Sequence, residues 1–140
     1  MILALDVGEK RVGLALSDEA EKTALPLGAY PVAKGQAEKR IIELIQERGI
    51  DLIVAGLPLD ENNAATPQCV KIQNFCRRLQ RRSPLKIQFV DEYCSSHEAQ
   101  ERLHSVNRKG SAARRREVID AVSASVILQT FLDSRNALKR

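Results

Sequence analysis

Apolar residues along the chain follow two rhythms, and the switches between them predict an order of elements. Ile2 to Asp6 (ILALD) and Arg11 to Ser17 (RVGLALS) are short apolar runs separated by VGEK, a glycine-containing turn, and together they predict a hairpin of buried strands. A loop around Pro26 and Gly28 follows. Ala29 to Ala33 is then expected as a third strand at a sheet edge, because Pro31 lacks the N–H that an inner strand needs. From Gln36 to Arg48 the rhythm changes: Ile41, Ile42, Leu44 and Ile45 recur at helical spacing among charged residues, and Gly49 is a suitable terminator.

Asp51 to Gly56 (DLIVAG) is apolar without alternation, the mark of a strand covered on both faces and reached by a helical crossover, so a βαβ unit is expected. Asn63 to Arg82 spaces Val70, Ile72, Phe75, Cys76 and Leu79 as a second helix would, stopped by Ser83 and Pro84. Lys86 to Asp91 (KIQFVD) alternates like a strand, and Ser96 to His104 resembles a short helix. Arg114 to Leu132 predicts a long helix with Val118, Val122, Val126 and Leu132 on its apolar side. The basic stretch Asn107 to Arg116 (NRKGSAARRR) reads as a loop joining the last two helices. The order is β-β-β-α-β-α-β-α-α, an α/β fold, and residues 1–140 are expected to form a single domain.

Composition narrows the class of protein. The 140 residues are 44% hydrophobic and 29% charged, enough for one core. A net charge of +4 favours polyanionic partners without demanding them. Cys69, Cys76 and Cys94 form no CxxC pair and leave an odd count, so neither a disulfide framework nor a zinc site is indicated, and reduced, cytoplasmic thiols are expected. The first apolar run is broken at Asp6 and followed by Glu9, Lys10 and Arg11, far short of a signal segment or a membrane span.

Three carboxylates sit where core residues are expected. Asp6 ends an otherwise apolar strand, Glu92 closes KIQFVDE, and Asp120 interrupts the apolar face of the last helix beside Ser123, Ala124 and Ile127. A strand-end Asp is ordinarily a turn or cap residue, so the constellation carries the argument rather than any member of it. Parallel sheets gather ligands at the C-terminal ends of their strands, where Asp6 and Glu92 can meet, and small residues allow the last helix to bring Asp120 close. Converging carboxylates are the hard oxygen donors that hold Mg2+ or Mn2+ for phosphodiester hydrolysis.

Lys10, Arg11, Arg108, Lys109, Arg114, Arg115 and Arg116 are the cations expected near these acids, able to bind phosphates, although a solvated charged loop explains them equally well. Asp18 is read as a turn residue, and Asp91 is expected on the opposite sheet face from Glu92. His97 and His104 share a helical face but have no third ligand nearby, which suits surface histidines. With no Trp, two Tyr and three Phe, stacking on splayed bases is poorly provided for, and recognition by backbone and shape suits the chain better.

Four segments, in order, carry a resemblance to a known family: LALDVGEKRVGLALSD (Leu3 to Asp18), IVAGLPLDENN (Ile53 to Asn63), VDEYCSSHEA (Val90 to Ala99) and EVIDAVSASVILQTFL (Glu117 to Leu132). Together they resemble the YqgF family, the Holliday junction resolvase-like proteins and pre-16S ribosomal RNA nucleases, over nearly the whole chain. The resemblance implies an RNase-H-like fold with a mixed five-stranded sheet flanked by helices. It also implies a nuclease role in maturing the 5′ end of small-subunit ribosomal RNA, with cleavage of branched DNA as the family's older inferred role. The family's acidic positions fall on Asp6, Glu92 and Asp120.

The third motif of the family usually resembles DER followed by Thr-Ser, whereas this chain has Tyr93 and Cys94 at the Arg and Thr positions. Losing a planar bidentate phosphate donor there bears on substrate affinity rather than metal binding. Two other readings stand beside the nuclease. DVGEKRVGLALSD also resembles the first phosphate-loop hairpin of actin-like ATPases and sugar kinases, although 140 residues leave no room for their second nucleotide-clamping domain. A nucleic-acid-binding module without cleavage is the non-enzymatic alternative. For the nuclease reading the expected partner is structured RNA, with branched DNA as the alternative, no membrane is expected, and the chain is expected to act as a monomer or a homodimer.

Overall fold

A computed structural model describes residues 1–58, 66–91 and 112–138, the last stretch with side chains from Val118 onward. Strands β1 (Ile2–Val7), β2 (Arg11–Ser17) and β3 (Ala24–Pro31) come first. A 3-10 turn (Ala33–Gly35), helix α1 (Gln36–Arg48), β4 (Leu52–Leu57), α2 (Pro67–Arg82), β5 (Ile87–Asp91) and a long α3 (Ala112–Leu138) follow. The strands form one sheet in the order β3-β2-β1-β4-β5. β1 pairs antiparallel with β2, and β2 with β3, while β1–β4 and β4–β5 are parallel. The expected hairpin and the parallel β4 are both present.

Strand alternation divides the core. Leu3, Leu5, Val12 and Leu14 face one way, against Ile41 and Leu44 of α1 and Ile72 and Leu79 of α2. Ile2, Ala4, Ala15 and Val54 face the other way, against Ala124, Ile127, Leu128 and Leu132 of α3. Two hydrogen bonds tie the far half of α3 to the loop before β3: the Ala24 N–H donates to Gln129 Oε1 at 2.9 Å, and Gln129 Nε2 donates to the Lys22 carbonyl at 2.9 Å. Arg135 adds an ion pair to Glu21 at 3.2 Å.

Several boundaries differ from the sequence expectation for physical reasons. β3 spans Ala24–Pro31 rather than Ala29 to Ala33, and it contains Pro26. Among the described residues it pairs only with β2, so a missing N–H on its outer side disrupts no ladder. The supposed loop around Pro26 and Gly28 is an irregularity within the strand, where the register shifts between Leu14 and Ala15 and Gly28 adopts φ +131°, a backbone region that favours glycine. α3 begins at Ala112, so Ala112 to Arg116 is helical rather than loop, as befits a run of good helix formers. Beyond Leu132 it continues through a polar turn held to Glu21, and Val118 is exposed rather than buried. α2 starts at Pro67, where its missing N–H costs nothing in a first helical turn. The expected helix from Ser96 to His104 lies outside the described residues, as do residues 107–111 of the basic stretch.

Candidate active site

The arrangement of the acids follows from strand parity and one glycine. Asp6 continues the series Ile2, Ala4 along β1, so it belongs to the face covered by α3 and is half-buried there. Its antiparallel neighbour is Gly13 of β2. A Cβ on Gly13 would stand 2.0 Å from the Asp120 carbonyl oxygen and 3.1 Å from the Ala121 nitrogen, so only a residue without a side chain lets the α3 backbone descend this far. Ala121, Ser123 and Ala124, all buried, keep that part of the helix thin. Gly13 is therefore flanked in register by Asp6 and overlain by the backbone of Asp120, which brings together two acids distant in sequence.

Arg11 completes this corner. It shares β2 parity with Gly13, and its Nε donates to Asp120 Oδ2 at 2.9 Å, with the two side chains 23% and 29% exposed. A charge-assisted bond at this depth orients the carboxylate more firmly than a surface pair would. The remaining guanidinium N–H groups are not committed to Asp120 Oδ2 through this bond and are suited to phosphate oxygens. Lys10 is exposed in the β1–β2 turn, where its carbonyl accepts from the Val32 N–H at 2.8 Å and the Gly8 N–H donates to the Arg11 carbonyl at 2.8 Å.

The third expected acid, Glu92, lies outside the described residues, and so do Arg108 and Lys109. The side chains of Arg114, Arg115 and Arg116 are likewise outside them, although their backbone lies in the first turns of α3. Tyr93, Cys94, His97 and His104 fall in the same undescribed segment. Among the described residues no three His, Cys, Asp or Glu side chains gather into a metal-sized group. Asp6 and Asp120 are hard oxygen donors of the kind a divalent cation takes, and strand register together with the Gly13 contact puts their backbones at one sheet corner.

The other candidates have structural places. Asp18 accepts from the Lys22 N–H at 2.8 Å and the Thr23 N–H at 3.2 Å, and these bonds hold its carboxyl below the usual carboxylate range. Asp91, in register with Leu57, has the parity of the α1–α2 face. Cys69 and Cys76 are buried free thiols, and burial pushes the Cys76 thiol up to about 12, so it stays protonated and inert. A groove of about 450 Å³ opens between β3 and the stretch of α3 around Val118 to Val122, lined by Pro26, Tyr30, Val118, Ala121 and Val122, and these side chains offer no carboxylate or imidazole for hydrolysis. Sequence reasoning missed Gly13 and the bond between Arg11 and Asp120. The alternation of β2 puts Arg11, Gly13 and Ala15 on one face, but only the fold brings Asp120 over it.

Comparison with known proteins agrees with this architecture. The family described as RuvX, Holliday junction resolvase, matches residues 1–134. A Chloroflexus aurantiacus protein with the provisional name pre-16S rRNA nuclease is 38% identical over 140 residues, covering 98% of this chain and 89% of its own length. A relative from Roseiflexus sp. with the same provisional name is 40% identical over 135 residues, covering 96% and 94%. Among solved structures, T. thermophilus RuvC in complex with a Holliday junction superposes with a TM-score of 0.55 at 12% identity, covering 96% of this chain and 95% of that one. Fowlpox virus resolvase bound to Holliday junction DNA gives 0.52 at 12% identity, covering 95% and 97%. These neighbours share the RNase-H-like fold, and with it the five-stranded mixed sheet and flanking helices found here.

Proposed function

This chain belongs to the RuvX Holliday junction resolvase family, and from that membership we propose that it is a metal-dependent endonuclease that matures the 5′ end of pre-16S ribosomal RNA. The names of its relatives, 38–40% identical over nearly the full length, supply the substrate. The observation that carries the reading is the Asp6–Gly13–Asp120 corner, where a glycine without a side chain lets a helix carbonyl approach the strand beside an acid. One domain spanning residues 1–140 and a cytoplasmic site of action belong to the same proposal.

In this reading Asp6, Glu92 and Asp120 hold Mg2+ or Mn2+, all three being hard oxygen donors. The ion, when bound, polarises a phosphoryl oxygen and lowers the pKa of water. The chain itself does the rest. Gly13 fixes the height of Asp120 above the sheet, and the Arg11 Nε bond fixes the rotation of its carboxylate. Lys10 and the outer N–H groups of Arg11 meet the phosphates on either side of the cut, joined by Arg108, Lys109, Arg114, Arg115 and Arg116.

The test is cleavage of a precursor RNA carrying the 5′ leader and of a four-way DNA junction, each with Mg2+ or Mn2+ and with chelator. Asp6→Asn and Asp120→Asn should each lower the metal-supported rate by more than about 100-fold, beyond the loss typical of residues that only support a metal ligand. Faster cutting of the junction than of the RNA would move the substrate to branched DNA. Cutting that persists in chelator, or that survives Asp6→Asn, would remove the carboxylates from the chemistry.

A further inference from the structure

Helix α2 carries a charge distribution that the corner around Asp6 does not use. Its sixteen residues, PQCVKIQNFCRRLQRR, include Lys71, Arg77, Arg78, Arg81 and Arg82 and no acid. That is five positive charges on one helix, against +4 for the whole chain. Neighbouring α1 (QAEKRIIELIQER) balances three glutamates against three cations, which is how a merely solvated helix face is usually composed.

The same helix buries Cys69, Ile72, Phe75, Cys76 and Leu79 against the sheet, so its cations are all driven to the outer side. Two of the five have acidic partners, and only loosely: Lys71 to Glu9 at 3.6 Å, 67% and 75% exposed, and Arg82 to Glu38 at 3.8 Å. No described ion pair engages Arg77, Arg78 or Arg81, and Arg78 lies 5.8 Å over the Phe75 ring, which steadies its head at the surface. Favourable interaction with the helix dipole explains Arg81 and Arg82 in the last turn. It does not explain Arg77 and Arg78 a turn earlier, nor Lys71 near the start, where a cation is unfavourable.

We propose that this face of α2 is a second nucleic-acid-binding surface, gripping the phosphate backbone of the RNA duplex that flanks the cut. α2 covers the sheet face opposite α3, so the surface is separate from the carboxylate corner. The contact between Lys71 and Glu9 joins its first turns to the hairpin that carries Lys10 and Arg11. A duplex leaving the corner over that hairpin therefore meets α2 next. Arginines at i, i+1 and i+4 present two adjacent rows of planar donors suited to successive phosphates, with no aromatic group to read bases.

This inference rests on nucleic acid being the substrate but not on where or how it is cut, and its test needs no cleavage. Binding of a duplex RNA to the full chain is followed by fluorescence anisotropy in chelator over a series of salt concentrations. The variant Arg77→Gln/Arg78→Gln/Arg81→Gln, with its fold checked by circular dichroism, is compared with wild type. The expected result is binding weaker by roughly 10- to 100-fold, with the slope of log affinity against log salt smaller in magnitude by about 2 to 3, as the loss of three phosphate contacts requires. Arg40→Gln on α1, also a lost surface cation, should leave both unchanged. An unaltered slope in the triple variant overturns the proposal and leaves the face to an acidic protein partner. No RNA binding by wild type overturns this proposal together with the RNA substrate and leaves branched DNA, whereas binding with an unaltered slope overturns this one alone.

Discussion

From the two central strands, Leu3, Leu5, Val12 and Leu14 turn toward α1 and α2, whereas Ala4, Asp6, Gly13 and Ala15 turn toward α3. On the first side large aliphatic chains fill the space between sheet and helix. On the second, aliphatic packing of Ile2 and Val54 on Ile127, Leu128 and Leu132 gives way near Gly13 to small residues, and there the helix backbone itself comes down to the sheet beside Asp6. The difference teaches that one sheet supports two kinds of packing: side-chain contact, which secures the fold, and backbone approach, which decides how close a helix-borne polar group stands to the sheet.

The sharpest way to break this contrast is Gly13→Ala. A methyl group aimed at the Asp120 carbonyl lifts the first turns of α3, and nuclease rate should fall by about 100-fold, as misplacement by about 1 Å does. Overpacking should cost about 1–3 kcal/mol as well. Rate and urea midpoint measured together check it, and a variant that cuts at the wild-type rate would refute the close approach. On the opposite face, Leu5→Ala should cost about 2–5 kcal/mol through the cavity it leaves. Its cleavage rate per folded molecule should nonetheless be unchanged, so stability and activity part company between the two sides.

Arg11→Ala is intermediate. It removes the bond that orients Asp120, and the expected loss is roughly tenfold in rate. Arg11→Lys should restore charge but only part of the rate, because an ammonium does not reproduce the Nε geometry. The smallest effect belongs to Cys76, on the α1–α2 side. Burial holds its pKa near 12 against 9.0 for an ordinary thiol, so the unfolded chain releases that proton first as pH rises. Stability from the neutral thiol is whole below pH 9.0 and drains away toward about 12. Cys76→Ala should flatten that part of the alkaline denaturation curve, and an unchanged curve would show that burial does not control the thiol.

Much of this was legible in the sequence. β2 and α1 have the bounds their apolar rhythms predict, and β1 runs one residue further than expected. Asp6 and Asp120 stood out because they break those rhythms. β3 was misplaced because an edge strand obeys weaker rules: Pro26 is harmless where no neighbour asks for its N–H, and the shift near Gly28 disrupts the alternation. The start of α3 was misread because three successive arginines look like a solvated loop, though arginine is also a good helix former. The role of Gly13 depended on a partner more than a hundred positions away. No local pattern announces that.

One consequence concerns the timing of synthesis. α3 follows every strand along the chain, yet it supplies Asp120 and covers Ile2, Ala4, Ala15 and Val54. Before α3 is made and docked, that sheet face lacks the helix that buries it in the fold, and Asp6 lacks its distant companion. On the role proposed for Asp120, cleavage waits for that docking, so RNA beside the growing chain does not meet a half-built site.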